Sequence, residues 1–126
     1  MSNPQQKQIL IIDDDAMNRE VMEAFLRLEN YDVELAYDGR QGIDSATALV
    51  PNLIILDVRM PDISGYEVCK LLKNQAGTAH IPIVFVSGFD GQEDRQHGLE
   101  VGADGFLTRP FDADELLALV SDLTKN

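Results

Sequence analysis

The chain has 126 residues, 44% of them hydrophobic, enough for one globular domain with a real core and a polar tail at residues 1–7. Its 22 acidic residues against 10 basic ones give a net charge of −12, which argues against direct contact with nucleic acid and favours basic or cationic ligands. No apolar run approaches the ~20 residues of a membrane helix, no secretory signal is visible, and the single Cys69 excludes an internal disulfide and fits a reducing, cytoplasmic setting.

In chain order, apolar runs alternate with helical patterns, the signature of an α/β domain with a parallel sheet. Ile9-Leu10-Ile11-Ile12 is continuously apolar, as a strand buried on both faces must be, and it ends on Asp13-Asp14-Asp15. The spacing then predicts a helix facing inward through Met17, Val21, Ala24, Phe25 and Leu28, with Asp15 as its N-cap. Asp32 to Ala36 alternates around Val33 and Leu35 and reads as an edge strand. Gly39 to Val50 reads as a second helix, turned inward at Ile43, Ala46 and Val50 and stopped by Pro51.

Leu53-Ile54-Ile55-Leu56 is a third strand and breaks off abruptly on Asp57. A loop with Pro61 and Gly65 follows, then a helix from about Ser64 to Asn74 with Val68, Cys69, Leu71 and Leu72 inward. Pro82 opens the fourth strand, Ile83-Val84-Phe85-Val86, which ends on Ser87-Gly88. Asp90 to Ala103 is the weakest helix. It contains Gly91, Gly98 and Gly102 and offers little apolar surface beyond Leu99 and Val101, so loose docking is expected. Gly105 to Thr108 forms a short fifth strand ending on Arg109-Pro110. The last helix, Asp112 to Leu123, presents Leu116, Leu117, Leu119, Val120 and Leu123.

Strands one, three and four are the most apolar and belong in the middle, with two and five at the edges. Right-handed crossovers then allow the order 2-1-3-4-5, one of the common doubly wound arrangements: a flavodoxin-like, three-layer α/β/α sandwich. Parallel strands deliver their carboxyl ends to one rim, where such sheets bind ligands. Asp13 and Asp14 arrive there from strand one, Asp57 from strand three, Ser87 from strand four, and Thr108 with Arg109 from strand five. Three crowded carboxylates repel unless a cation intervenes. Mg²⁺ suits them, being a hard ion that takes carboxylate, water and phosphate oxygens. A carboxylate beside it can attack phosphorus.

Four motifs now stand in order: Ile-Ile-Asp-Asp at 11–14, Asp-x-x-Met-Pro-x-x-Ser-Gly at 57–65, Val-Ser-Gly at 86–88, and Gly-Ala-Asp-Gly-Phe-Leu-Thr-x-Pro-Phe at 102–111. Together they make the chain resemble a receiver domain of a two-component response regulator over essentially its whole length. The resemblance implies a regulator rather than an enzyme, in which Asp57 accepts a phosphoryl group from a sensor histidine kinase or a histidine phosphotransfer protein. It implies that Asp13, Asp14, Asp57 and the backbone carbonyl of Arg59 hold Mg²⁺. Ser87 would bond a phosphoryl oxygen, and Phe106 would be the aromatic switch that turns inward as Ser87 moves. The face formed by the fourth helix, fifth strand and last helix would then change shape for a downstream protein or an output domain. The Arg109–Pro110 peptide would be cis.

One position departs from the family pattern. Arg109 stands where a Lys is usual, and a planar fork is not a compact point charge on a flexible stem. Arg109 can pair with Asp57 and then with phosphate, or hold the pocket in one state. The second motivates an alternative, a pseudo-receiver that binds partners without phosphate control. Blander readings stay open at single positions: a helix-capping cluster for Asp13–Asp15, a cap for Ser87, a core aromatic for Phe106. Cys69 reads as a small core residue, and His80 and His97 lack partners at metal-ligand spacing. A haloacid-dehalogenase-type phosphatase would need Thr or Val after Asp15, where Ala16-Met17 stands. A flavin site would need a phosphate loop where the three acids would repel phosphate.

Overall fold

Continuous apolar runs can be sheltered on both faces only in the middle of a layered sheet, and the three strongest runs lie there. The computed structural model describes residues 6–88 and 92–125. Its strands are β1 (Gln8–Ile12), β2 (Asp32–Ala36), β3 (Leu53–Asp57), β4 (Ile83–Ser87) and β5 (Gly105–Thr108). All pair in parallel, in the order β2-β1-β3-β4-β5. Every residue of β3 and β4 is buried. The register sets Ile12 beside Leu56, Asp57 beside Val86, and Ser87 beside Thr108, so the acids and hydroxyls emerge together at one rim.

The helices are α1 (Ala16–Leu28), α2 (Gly39–Leu49), α3 (Gly65–Lys73), α4 (Gln92–Glu100) and α5 (Ala113–Leu123). They split the core into two layers. One sheet face, with Leu10, Ile12, Leu56 and Phe85, packs on Ala46 of α2 and on Val68, Cys69 and Leu72 of α3. The other, with Ile9, Ile11, Ile55 and Val84, packs on Met22 and Leu26 of α1 and Leu116 and Val120 of α5. Each fully buried Leu, Ile or Phe contributes ~1.5–3 kcal/mol relative to exposure, so the sheet is a rigid base for its rim. Side-chain oxygens of Asp15, Asp38, Ser64 and Asp112 cap α1, α2, α3 and α5 by accepting from the third backbone N–H beyond each.

Several inward positions differ from the sequence reading. In α1 the buried face is Met22 and Leu26 with half-buried Phe25, while Met17 is 73% exposed and Val21 and Leu28 also face outward. Met22 and Leu26 each follow Val21 and Phe25 by one residue, a rotation of about 100° on a helix. Leu71 in α3 is displaced in the same way: it is exposed, and its neighbour Leu72 is buried. Val50 is an exposed left-handed C-cap (φ 46°) rather than part of the inner face of α2. In β2 the buried pair is Val33 and Ala36, with Leu35 half-buried.

α4 is shorter than expected. Asp90 and Gly91 lie outside the described residues, and at the other end Gly102 adopts φ 98° and closes the helix. The N–H of Gly102 donates to Leu99 O and that of Ala103 to Gly98 O, a paired terminal bond that needs a residue tolerant of positive φ. Leu99 projects outward, 68% exposed.

Candidate functional site

Residues that leave a buried strand on a charge must place that charge at the rim. Asp13 directly follows β1 and is buried; Asp14 beside it is exposed; Asp57 ends β3 and is buried. One carboxylate oxygen from each lies within 4.8 Å of the others. Asp14 and Asp57 border an open cavity of about 340 Å³ that Asp15, Arg59, Ser87 and Arg109 also line.

Local bonds hold these groups in place. Asp13 Oδ1 accepts from Asp15 N at 2.9 Å, and the Asp13 carbonyl accepts from Arg19 Nη1 at 2.7 Å. Asp57 Oδ1 accepts a long bond from Arg59 N at 3.4 Å. Arg109 straddles the two buried acids, with Nη2 3.4 Å from Asp13 Oδ2 and 3.6 Å from Asp57 Oδ1. The Arg109–Pro110 peptide is cis, in line with the resemblance.

One guanidinium does not neutralise three carboxylates. Burial, followed by the negative charge of Asp13, pushes the Asp57 carboxyl up to about 7, although Arg109 and the Arg59 N–H pull the other way. Asp13 is also raised, again chiefly by burial. The carboxylates thus carry more negative charge than Arg109 offsets, and they offer three hard oxygen donors near enough to share one ion. That donor set fits Mg²⁺.

The remaining candidates sit around this centre. Ser87 is buried at the end of β4; among the described residues its Oγ gives a long 3.4 Å bond to Gly88 O, and its carbonyl accepts from Arg109 N at 2.9 Å. It caps no described helix. Phe106 is half-buried 6.3 Å from Phe85, and the Arg95 guanidinium of α4 lies 5.0 Å above its ring. Phe106 therefore has one face in the core and one beneath α4.

Sequence reasoning missed three groups. His97 stacks on Tyr66 at 3.9 Å, and Tyr66 reaches Phe85 at 5.4 Å, joining α3 to α4 through rings. Arg19 lies 4.3 Å from the Tyr37 ring while holding Asp13. Asp62 accepts from the backbone of Gly39 and Arg40 across the rim. None is a defining residue of a motif, and each pairing joins residues outside any recurrent spacing, so spacing alone carried no signal. Cys69 is a core residue as read: its thiol is pushed up to about 11 by burial and donates to Val101 O.

Beside the acid pocket, a second and largely apolar groove of about 280 Å³ runs between α1 and the loop after β5. Met17, Val21, Phe25, Pro110 and Phe111 line it. Among the described residues no helix is long and apolar enough to cross a membrane.

Comparison with known proteins agrees with this geometry. The response regulator receiver domain family matches residues 9–121. The response regulator PleD of Caulobacter vibrioides is 44% identical over 117 residues, which cover 93% of this chain and 26% of PleD. The chain thus spans about a quarter of that relative. Among solved structures, a putative response regulator from Chloroflexus aurantiacus superposes with a TM-score of 0.92 at 30% identity, covering 95% of this chain and 98% of the other. The receiver domain of a sensor histidine kinase from Pseudomonas aeruginosa, which holds a magnesium ion in its active site cleft, superposes with a TM-score of 0.88 at 30% identity, covering 94% and 98%.

Proposed function

This chain belongs to the response regulator receiver family, and we propose that it is a phosphorylation-controlled switch working as one domain in the cytoplasm. The observation that carries the reading is the meeting of Asp13, Asp14 and Asp57 with Arg109 at one rim of the sheet. Asp13, Asp14, Asp57 and the Arg59 carbonyl would hold Mg²⁺. When bound, that ion supplies positive charge that favours the ionised form of Asp57 and offsets charge on the phosphoryl oxygens.

Asp57 is the phosphoacceptor. A carboxylate oxygen forms a bond to phosphorus as the P–N bond of a donor phosphohistidine breaks, and the imidazole nitrogen takes the electron pair and later a proton. The product is an aspartyl phosphate. Arg109 is near enough to leave the carboxylates and bond the new phosphoryl oxygens, bidentately if the fork aligns. Ser87, at the end of the adjacent strand, supplies a hydroxyl to another of those oxygens, drawing the loop after β4 inward. Phe106 follows, and α4, β5 and α5 present a changed face to a downstream protein or an output domain.

The donor is a sensor histidine kinase or a histidine phosphotransfer protein. The apolar groove between α1 and Pro110-Phe111 supports its docking there, because exposed Met17 and Val21 adjoin the acid pocket. The test is intact mass after incubation with phosphoramidate, with and without Mg²⁺. One phosphoryl increment that needs Mg²⁺ and is lost in Asp57→Asn is expected. No increment on folded protein would overturn the switch in favour of a phosphate-independent binding module.

A further inference from the structure

The loop from Val58 to Ser64 begins on Asp57 and carries the Arg59 carbonyl, so its shape governs two of the four proposed ion ligands. Its ends are closed tightly. Gly65 N donates to Val58 O at 2.8 Å, and a Cβ on Gly65 would fall 2.2 Å from the Asp57 carbonyl oxygen. Its tip is fastened elsewhere. Asp62 Oδ1 accepts from Gly39 N at 3.0 Å and Oδ2 from Arg40 N at 2.9 Å, so both oxygens serve the first turn of α2.

Those N–H groups have no partner within their own helix. The helix's own cap, Asp38, accepts from Gln41 N and leaves the two preceding donors to Asp62. A carboxylate at a helix N-terminus gains from the peptide dipoles as well as from the charge-assisted bonds. In agreement, these bonds hold the Asp62 carboxyl below its usual range. The approach is close: a Cβ on Gly39 would lie 3.1 Å from Ile63 Cβ and 3.2 Å from Ile63 O. Asp62 is itself exposed and is not among the residues lining the acid pocket.

We propose that Asp62 is a positioning residue for divalent-cation binding, clamping the tip of the β3–α3 loop to α2 so that Asp57 and the Arg59 carbonyl stay in ligating register. The inference rests on the receiver reading only in placing the ion at Asp57. Without the clamp, the loop keeps both ends but loses its tip, and the ion must order it on binding.

The chain contains no Trp, so the readout is the Mg²⁺ dependence of backbone amide NMR shifts, followed in the full chain and in Asp57→Asn, Asp62→Ala and Asp62→Asn. Outer supports of metal sites typically cost 10–100-fold in affinity when removed; for this exposed one, Asp62→Ala is expected to weaken Mg²⁺ about five-fold. Asp62→Asn, which retains one acceptor oxygen, should fall between, and it serves alone if the Ala variant does not fold. A merely structural staple would lower the thermal midpoint in EDTA and leave the Mg²⁺ titration unmoved. A wild-type chain that responds to Mg²⁺ through Asp57, with both Asp62 variants matching it, overturns the inference alone. A wild-type chain with no Asp57-dependent response overturns the receiver reading and the clamp with it.

Discussion

α3 and α4 each run nine residues and each follows a central strand, yet they are attached to the sheet in different ways. α3 is capped by Ser64 and buries Gly65, Val68, Cys69 and Leu72. Its C-terminal Lys73 donates to Ile81 O at 2.8 Å and pairs with Asp104 at 2.9 Å. Among its described side chains α4 buries only Gly98, pressed so close to Phe85 that a Cβ there would lie 3.0 Å from the ring. Beyond that it rests on rings, His97 on Tyr66 and Arg95 over Phe106. Ring contacts of this kind contribute ~0.5–1.5 kcal/mol each, less than one well-buried Leu. A helix on such footing can change position at small cost, whereas the helix behind Asp57 must hold its loop still. The division between a fixed half and a movable half follows from which residues each helix turns inward.

The strongest way to break this comparison is to unseat the fixed half. Gly65→Ala forces a methyl into the Asp57 carbonyl and has no flexible neighbour to yield, so it should destabilise by about 3 kcal/mol. Urea unfolding measures this; an unchanged midpoint would contradict the role given to Gly65.

Next in size is the charge on Asp57. Its folded pKa of about 7 lies above the ordinary 3.8, so the folded chain binds more protons than the unfolded one between those values. Stability in Mg²⁺-free buffer should therefore fall as pH rises from about 4 to about 7, and Asp57→Asn should be the more stable protein at pH 7.5 by on the order of 2 kcal/mol. Saturating Mg²⁺ should narrow that gap. Denaturant midpoints across pH read all of this, and a stability that climbs over the same range would reverse the sign.

Arg109→Ala removes the cation shared by Asp13 and Asp57. With the guanidinium partly exposed and screened, the cost at pH 7.5 should be about 1 kcal/mol without Mg²⁺ and less with it. A loss that grows when Mg²⁺ is added would contradict the shared-charge account. The smallest effect sharpens the movable half. Arg95→Ala should change global stability by less than about 1 kcal/mol while hydrogen exchange in α4 rises about three-fold and that in α3 stays the same. Equal acceleration in both helices would erase the distinction.

Much of this was legible in the sequence because its strongest signals are local. Apolar runs ending on Asp13, Asp57 and Ser87 located the strands; their relative apolarity put these three in the middle, and right-handed crossovers allowed the order that the sheet adopts. Asp15 and Ser64 were readable as helix starts for the same reason. Inner faces were harder to place: Val21 against Met22, or Leu71 against Leu72, differ by one residue, and only tertiary packing decides which turns inward. Contacts between separate elements left no trace at all. Arg19 on the Asp13 carbonyl, Asp62 on α2 and His97 on Tyr66 join residues from separate elements through geometry that no spacing encodes.

The most direct measurement is hydrogen exchange by mass spectrometry on the chain loaded with phosphoramidate and Mg²⁺, against the unloaded chain and Asp57→Asn. The account predicts altered protection in α4 and β5, little change in α3, and no response in the mutant. Equal change in α3 and α4, or no change in a chain whose intact mass confirms the phosphoryl group, would contradict it.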